Sequence, residues 1–360
     1  VASSLKQFPF FQIAGSPFER GRQHGEQAAA LIRFNLDGYW RLFRHYTGLD
    51  RIAALEAARL YLDPIQAHTP HLLEEMEGIA AGAGLSLEEI LALNCRTEIL
   101  SITRVPLCQE CTAIFVAPEL TAEGHALLAQ NWDWSDILRG GMVLLQIEQP
   151  GRPRVLTLTE AGMVGKIGLN SAGIGVCTNF LRHNQRRLAL PFHLILREML
   201  DAPRLGLAVA AAYWAGRADA GNYLLAHADG EGINLEAAPT SVGWLHPRDG
   251  LLVHTNHFLV PRLQEGDTGL LESDNTLVRW GRASRLLRGR AGALTAETLM
   301  EILRDHFDRP KSICRHPDTT VPRMEQVATL ASMVLDLTAG RMYIAVGEPC
   351  QADYYSVEMG

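Results

Sequence analysis

The sequence predicts an α+β fold, with two packed, mainly antiparallel sheets and helices outside them, and three observations carry this. Helical periodicity dominates up to about residue 105 and gives way to short strands after residue 110. Those strands come in blocks broken by Gly, Pro and Asn-Ser, without the alternation of strand and helix that builds a doubly wound sheet. A helical pair interrupts the strands near residues 192–215, and strands resume after it.

Taken in order, "SPFERGRQHGEQAAALIRFNLDGYWRLFRHY" places apolar residues at helical spacing, with Gly21 and Gly25 near its start. "DRIAALEAARLYL" is Ala/Leu-rich with interleaved charge, and "LSLEEILALNCRTEIL" opens on Ser86 with Glu89 three residues on, a capping box. "TAIFVA" and "HALLAQNW" flank Pro118 and Gly124 and read as a hairpin. "MVLLQIEQ", "RVLTLTE", "GKIGLN" and "GIGVCTNF" follow as strands, and "FHLILREMLD" and "RLGLAVAAAYWA" as helices. "NYLLAHAD", "GINLEAAP", "GLLVHTNHF" and "LASMVLDLTAGRMYIAVG" return to strand, and "SDNTLVRWGRASRLL" runs from a loop into a helix.

Bulk properties narrow the function. A chain of 360 residues with 47% hydrophobic content has the means to build a sizeable core. A net charge of −7 leaves no basic excess for a phosphate backbone, so nucleic acid is not an expected partner. No apolar run reaches membrane-spanning length, and "VASSLKQFPF" lacks the pattern of a leader. The cysteines show no framework spacing, so they are expected to be reduced and the protein cytoplasmic.

Chemistry concentrates in "PLCQECTAIFVAPELTAEGHALLAQNWDW". Cys108 and Cys111 form a C-x-x-C, but a redox motif of that kind opens a helix, and this one precedes a hairpin. A zinc site needs a second matching pair, and Cys177, Cys314 and Cys350 stand isolated along the chain; no metal and no cofactor are expected. Cys111 is either a small buried hydrophobe or a nucleophile. A nucleophile needs a base: His125, His254 or His257, or its own α-amino group if the chain is cut after Glu110. His254 and His257, read as three apart on one strand, fall on opposite faces and make a poor metal pair with Asp133. Gln130, Asn131, Asp133, Asn179, Asn256 and Arg315 lie at strand ends or in short motifs, where they serve as turn formers or supply the donors and carboxylate that amide chemistry needs. Trp132 and Trp134 share a face opposite Asp133 and read as core.

Together, "ECTAIFVAP", "GHALLAQNWDW", "NSAGIGVCTNF", "VHTNHF", "SDNTLVRW" and "KSICRH", with "GSPFERGRQHGEQ" and "LNCRTEI" before them, resemble the acyl-CoA:6-aminopenicillanic acid acyltransferase family. These isopenicillin N acyltransferase-like proteins are N-terminal nucleophile (Ntn) hydrolases. The resemblance implies a four-layer αββα sandwich made as a precursor that cuts itself between Glu110 and Cys111. Residues 1–110 would remain as a helical small subunit on a catalytic core of residues 111–360, the two forming one structural unit. It further implies that Cys111 is nucleophile and base, that Asp133 orients its amino group, that Asn179 and Asn256 hold the oxyanion and that Arg315 lies beside the nucleophile. The expected reaction is hydrolysis of a linear N-acyl amide through a Cys111 thioester, with acyl transfer to an amine as the alternative and an uncut, non-enzymatic binding scaffold as the alternative of another class. Substrate identity and any homo-oligomer stay open. Two positions depart from the pattern: Glu110 replaces a glycine, which would ease backbone distortion at the cut, and Gln130 replaces a guanidinium near the thiol.

Overall fold

A computed structural model describes residues 6–103, 110–214, 216–271, 273–290 and 292–360. The chain opens with β1 (Phe10–Ala14), which helical periodicity did not announce, and then α1 (Pro17–Thr47). Ser16 starts α1 with a capping box: its Oγ accepts from Glu19 N, and Glu19 Oε2 accepts from Ser16 N at 2.8 Å. Gly48 ends it in the left-handed region at φ 74°. Four short helices, α2 (Arg51–Arg59), α3 (Leu62–His68), α5 (Leu87–Asn94) and α6 (Arg96–Leu100), surround the pair made by α1 and α4 (Pro70–Ala83). The expected Ser86–Glu89 capping box opens α5.

Glycine governs how α1 meets α4. Gly21 and Gly25 on one helix face Gly78 and Gly82 on the other, each pair one turn apart. A Cβ on Gly25 would meet Ile79 O and Ala83 N, and one on Gly82 would meet Arg22 O, so the backbones touch where side chains would normally hold them apart.

Among the described residues the strands form two sheets. β2 (Glu110–Val116) and β3 (Leu127–Ser135) make the expected hairpin; β4 (Met142–Glu148), β5 (Val155–Glu160), β6 (Ile167–Asn170) and β7 (Ile174–Phe180) follow. After α7 (Phe192–Leu200) and α8 (Leu205–Trp214) come β8 (Gly221–His227), β9 (Gly232–Ala238), β10 (Ser241–Leu245) and β11 (Leu251–His254). Beyond α9 (Pro261–Gln264), α10 (Thr276–Arg288) and α11 (Ala296–Leu303), β12 (Val327–Asp336), β13 (Arg341–Val346) and β14 (Tyr355–Glu358) complete the chain. One sheet has the order β1-β4-β5-β6-β7-β8-β9-β10 and the other β11-β2-β3-β12-β13-β14. All pairings are antiparallel except β1 with β4. The sheets meet through β2 and β3 on one side and β7 and β8 on the other; α7 and α8 cover the first sheet, α10 and α11 the second. This is the αββα layering expected. Among the described residues no helix is long and apolar enough to cross a membrane.

Buried polar groups fasten the N-terminal helices to the sheets. Arg20 and Arg197 share the Glu75 carboxylate, and Arg197 also pairs with Asp201. Arg96 and Lys166 share Glu160, which also accepts from Tyr39, and Asn35 donates to Gly141 O and Ala161 O. Breaking one partner out of such a buried set costs about 3–5 kcal/mol.

The glycine contact yields a contrast. Gly25→Ala is expected to destabilise the fold by about 1–3 kcal/mol, because only backbone faces the new methyl. Gly281→Ala in α10, with open space at its Cβ, is expected to stabilise by up to about 1 kcal/mol. Urea unfolding midpoints of both variants check the opposite signs.

Candidate active site

The site is set by the register of β2 on β3. Glu110 lies opposite Asp133, Cys111 opposite Trp132 and Thr112 opposite Asn131. Side chains alternate between faces, so Cys111, Ala113, Trp132 and Trp134 turn toward the other sheet, while Glu110, Thr112, Asn131 and Asp133 turn toward α10 and α11. Asp133 is thus opposite Glu110, the residue before Cys111, and on the other face from the thiol. That position suits contact with the Cys111 nitrogen rather than its sulfur.

Arg279 joins the parts. It sits one turn into α10, on the face that buries Ala283 and Leu287. Its Nη1 donates to Cys111 O at 2.7 Å and Thr112 Oγ1 at 3.0 Å; its Nη2 donates to Asn256 Oδ1 at 2.9 Å and pairs with the Glu110 carboxylate. Asn256 Oδ1 also accepts from Cys111 N at 2.8 Å, while its Nδ2 donates to Phe180 O. Ser273 Oγ donates to Glu110 Oε1 at 2.7 Å. Arg315 lies 3.6 Å from Glu110 Oε2 and 3.8 Å from Asp133 Oδ2, and its Nη2 donates to Asn275 Oδ1. Thr329 on β12 links Asp133 to the Arg315 loop: its Oγ1 donates to Asp133 Oδ1 at 2.6 Å and accepts from Arg315 N at 3.0 Å. Asp133 Oδ2 is buried with no hydrogen-bond partner among the described residues.

The structure thus brings together Glu110, Cys111, Asp133, Asn256 and Arg315. Asn179 is buried nearby but hydrogen-bonds elsewhere, to Asn222 at 2.9 Å and, through Nδ2, to His254 O at 3.4 Å. Gln130 clamps the sheets together, with Nε2 on Thr178 O and Oε1 on Thr178 N. β11 stops at His254, so His257 does not share its strand as expected; His254 binds Glu236 at 2.8 Å and His257 contacts the Thr276 hydroxyl. Trp132 and Trp134 are buried, as read. Cys108 lies outside the described residues. Cys314 and Cys350 are not isolated: both lie against His316.

Sequence reasoning missed Arg279 and Lys166. Arg279 was within a quoted motif, and its only other signal was its spacing of four from Asn275. Lys166 was a lone cation in an apolar stretch; it lies over the Trp132 ring at 3.4 Å from the centroid and 2.9 Å from Glu160. Burial lowers its pKa to about 7 against the pull of Glu160. Glu110 has no unusual backbone: among described non-glycine residues only Asp249 and Asp308 have positive φ.

Burial, and then the neighbouring Asp133, push the Cys111 thiol up to about 12, against Lys166 and Arg279. In the uncut chain it is a neutral thiol. Burial also raises Asp133 to about 6, although Arg315 and Arg279 oppose it. A cavity of about 270 Å³, lined by Ser101, Thr103, Arg182, Asn184 and Asp219 among others, opens between the N-terminal helices and the 182–186 loop. An apolar cleft of about 290 Å³ between β11 and α10 contains none of the site residues.

The family model described as "Acyl-coenzyme A:6-aminopenicillanic acid acyl-transferase" matches residues 120–351. An acyl-coenzyme A:6-aminopenicillanic-acid-acyltransferase (40 kDa form) from Emericella nidulans is 32% identical over 344 residues, covering 94% of this chain and 92% of that protein. Two crystal structures of variants of a conjugated bile acid hydrolase from Clostridium perfringens share the fold at 14% identity, with TM-scores of 0.53 and 0.50; each covers 69% of this chain and 92% of the hydrolase.

The raised Asp133 carboxyl has a testable sign. A folded-state value above the unfolded one of about 3.9 gives stability that is full below that value and lost as pH rises through about 6. In the uncut Cys111→Ala chain, adding Asp133→Asn should therefore stabilise at pH 8 by up to about 3 kcal/mol and have little effect near pH 4. Urea midpoints at the two pH values measure it; an equal effect at both contradicts it.

Proposed function

Because the chain belongs to the acyl-coenzyme A:6-aminopenicillanic acid acyl-transferase family, enzymes of the Ntn-hydrolase fold that act on C–N amide bonds, we propose that Cys111 is its nucleophile and becomes one by cleavage after Glu110. The observation that carries this is the contact of Asn256 Oδ1 on the Cys111 nitrogen at 2.8 Å, together with a buried Asp133 Oδ2, on the residue opposite Glu110, that holds no hydrogen bond among the described residues. A peptide nitrogen offers one N–H; an α-ammonium offers three, enough to engage both groups.

Maturation begins when the Cys111 thiol attacks the Glu110 carbonyl carbon. The C–N bond breaks as the C–S bond forms, and the nitrogen leaves as the free amine. Water then cleaves the thioester, giving a Glu110 carboxylate and regenerating the thiol. Arg279, on the Cys111 carbonyl and the Glu110 side chain, fixes both sides of the scissile bond. Residues 1–110 would then be a small subunit, held on residues 111–360 by the buried Arg20, Glu75, Arg197 and Arg96, Glu160, Lys166 sets.

In turnover the Cys111 amine takes the thiol proton and the thiolate attacks a substrate amide carbonyl. The ammonium returns the proton to the leaving nitrogen, and a thioester remains on Cys111. Asn179 is the readier oxyanion donor, since among the described residues its Nδ2 holds one long 3.4 Å bond. Asn256 must first release Phe180 O. One well-placed donor contributes about 3–4 kcal/mol. Water resolves the thioester in hydrolysis and an amine in transfer; hydrolysis is the favoured reading because water needs no second site. The substrate is a small amide or acyl compound. The free cysteines among the described residues support a cytoplasmic setting.

A chromogenic N-acyl amide panel, run with and without hydroxylamine, tests the proposal. The wild-type chain should release amine and, with hydroxylamine, form hydroxamate. Cys111→Ala should lose at least about 1,000-fold in kcat/KM. Activity retained by Cys111→Ala would remove Cys111 from the chemistry.

A further inference from the structure

Away from the thiol of Cys111, four side chains from three separate segments aim their ligand atoms at one point. They are His306 just after α11, Cys314 and His316 in the following loop, and Cys350 after β13. His306 Nε2 lies 3.1 Å from His316 Nε2, and Cys314 Sγ and Cys350 Sγ lie 3.6 Å and 3.4 Å from that same nitrogen. All four ligand atoms fall within 4.8 Å of one another.

Hydrogen bonding does not account for this convergence. One imidazole nitrogen donates or accepts a single bond in the ring plane, yet three groups crowd His316 Nε2. A tetrahedral zinc ion, bonded to sulfur at about 2.3 Å and to nitrogen at about 2.0–2.1 Å, holds its ligands about 3.3–3.8 Å apart. The three measured separations fall within or a few tenths of an ångström below that range. Two thiolates and two imidazoles also form a donor set that selects zinc over hard cations.

We propose that His306, Cys314, His316 and Cys350 form a structural Cys2His2 zinc site that clamps the loop carrying Arg315. Four protein ligands leave no open position, so the site is structural. Binding converts two thiols to thiolates and releases two protons for each zinc taken up. Cys314 and His316 are buried, and Arg315 between them projects the other way, toward Glu110 and Asp133. Backbone bonds from Cys314 N to Asp305 O and from His316 N to Pro310 O, each at 3.0 Å, and the bond from Arg315 N to Thr329 Oγ1 also tie the loop. The ion would join α11, this loop and the 348–350 segment in one cross-link. This assignment is independent of the role given to Cys111.

The test uses the full chain with Cys111→Ala, which removes the thiol assigned to catalysis and keeps the chain uncut. Purified reduced and without chelator, it should carry about one zinc per chain by elemental analysis. Replacement with Co2+ should give the intense visible bands of a tetrahedral centre and a near-ultraviolet thiolate-to-cobalt band. Adding Cys350→Ser or His306→Ala should weaken Co2+ binding at least tenfold. Should those variants fail to fold, the cobalt spectrum of the parent chain decides alone. A parent chain with reduced thiols that neither retains zinc nor develops that spectrum overturns the proposal, as does a native Cys314–Cys350 disulfide, read as a loss of two hydrogens in the intact mass.

Discussion

The Arg279 guanidinium is buried over the Glu110–Cys111 bond, and the arrangement around it follows from the cost of a cation away from water. An unpaired buried charge costs several kcal/mol, so acceptors from several segments converge on it. The Cys111 carbonyl, the Thr112 hydroxyl, the Asn256 amide oxygen and the Glu110 carboxylate all turn to it. Those contacts fix α10 against the head of β2 and fix the 255–256 turn against the same strand. The head of the β2 face that meets Arg279, Glu110 and Thr112, is polar for this reason; farther along, Ile114 and Val116 pack against α10 and α11, and the other face packs Ala113 and Phe115 into the space between the sheets.

This arrangement gives Glu110 a purpose that a glycine would not serve. Its backbone is that of an ordinary strand residue, and its side chain neutralises Arg279 and lies near Arg315. In the uncut chain the carboxylate therefore occupies a pocket of two cations and Ser273. Cutting the peptide bond does not by itself break that ion pair. Under the proposed function, any anionic substrate group must displace Glu110 from the pocket, and maturation and activity become two separable events. Lys166, lowered to about 7 by burial, lies on the thiol's own side of the sheet, where Gln130 serves as a neutral clamp.

Much of the fold was legible because it rests on local rules. The capping box at Ser86, the hairpin around Pro118 and Gly124 and the strand blocks all follow from short-range chemistry. β1 was not legible, because an edge strand paired in parallel with β4, about 130 residues away along the chain, leaves no local signal. The α1–α4 contact was half legible: Gly21 and Gly25 drew notice, but their partners Gly78 and Gly82 lie in a separate helix. In the site, Cys111, Asp133, Asn256 and Arg315 could be named from motifs, whereas the face each occupies depends on the β2–β3 register. Arg279 and the convergence of Cys314 and Cys350 on His316 are products of tertiary packing alone.

The central claim is that this chain matures into an enzyme with Cys111 at a new N-terminus. The most direct measurement is the intact mass of the purified wild-type protein under denaturing conditions, with N-terminal sequencing of each species. The predicted result is two species of about 12 and 27 kDa, sized from the chain length, the larger beginning Cys-Thr-Ala-Ile. A single species of 39.7 kDa in a preparation that turns over amide substrate would contradict it, because catalysis would then proceed without a free Cys111 amine.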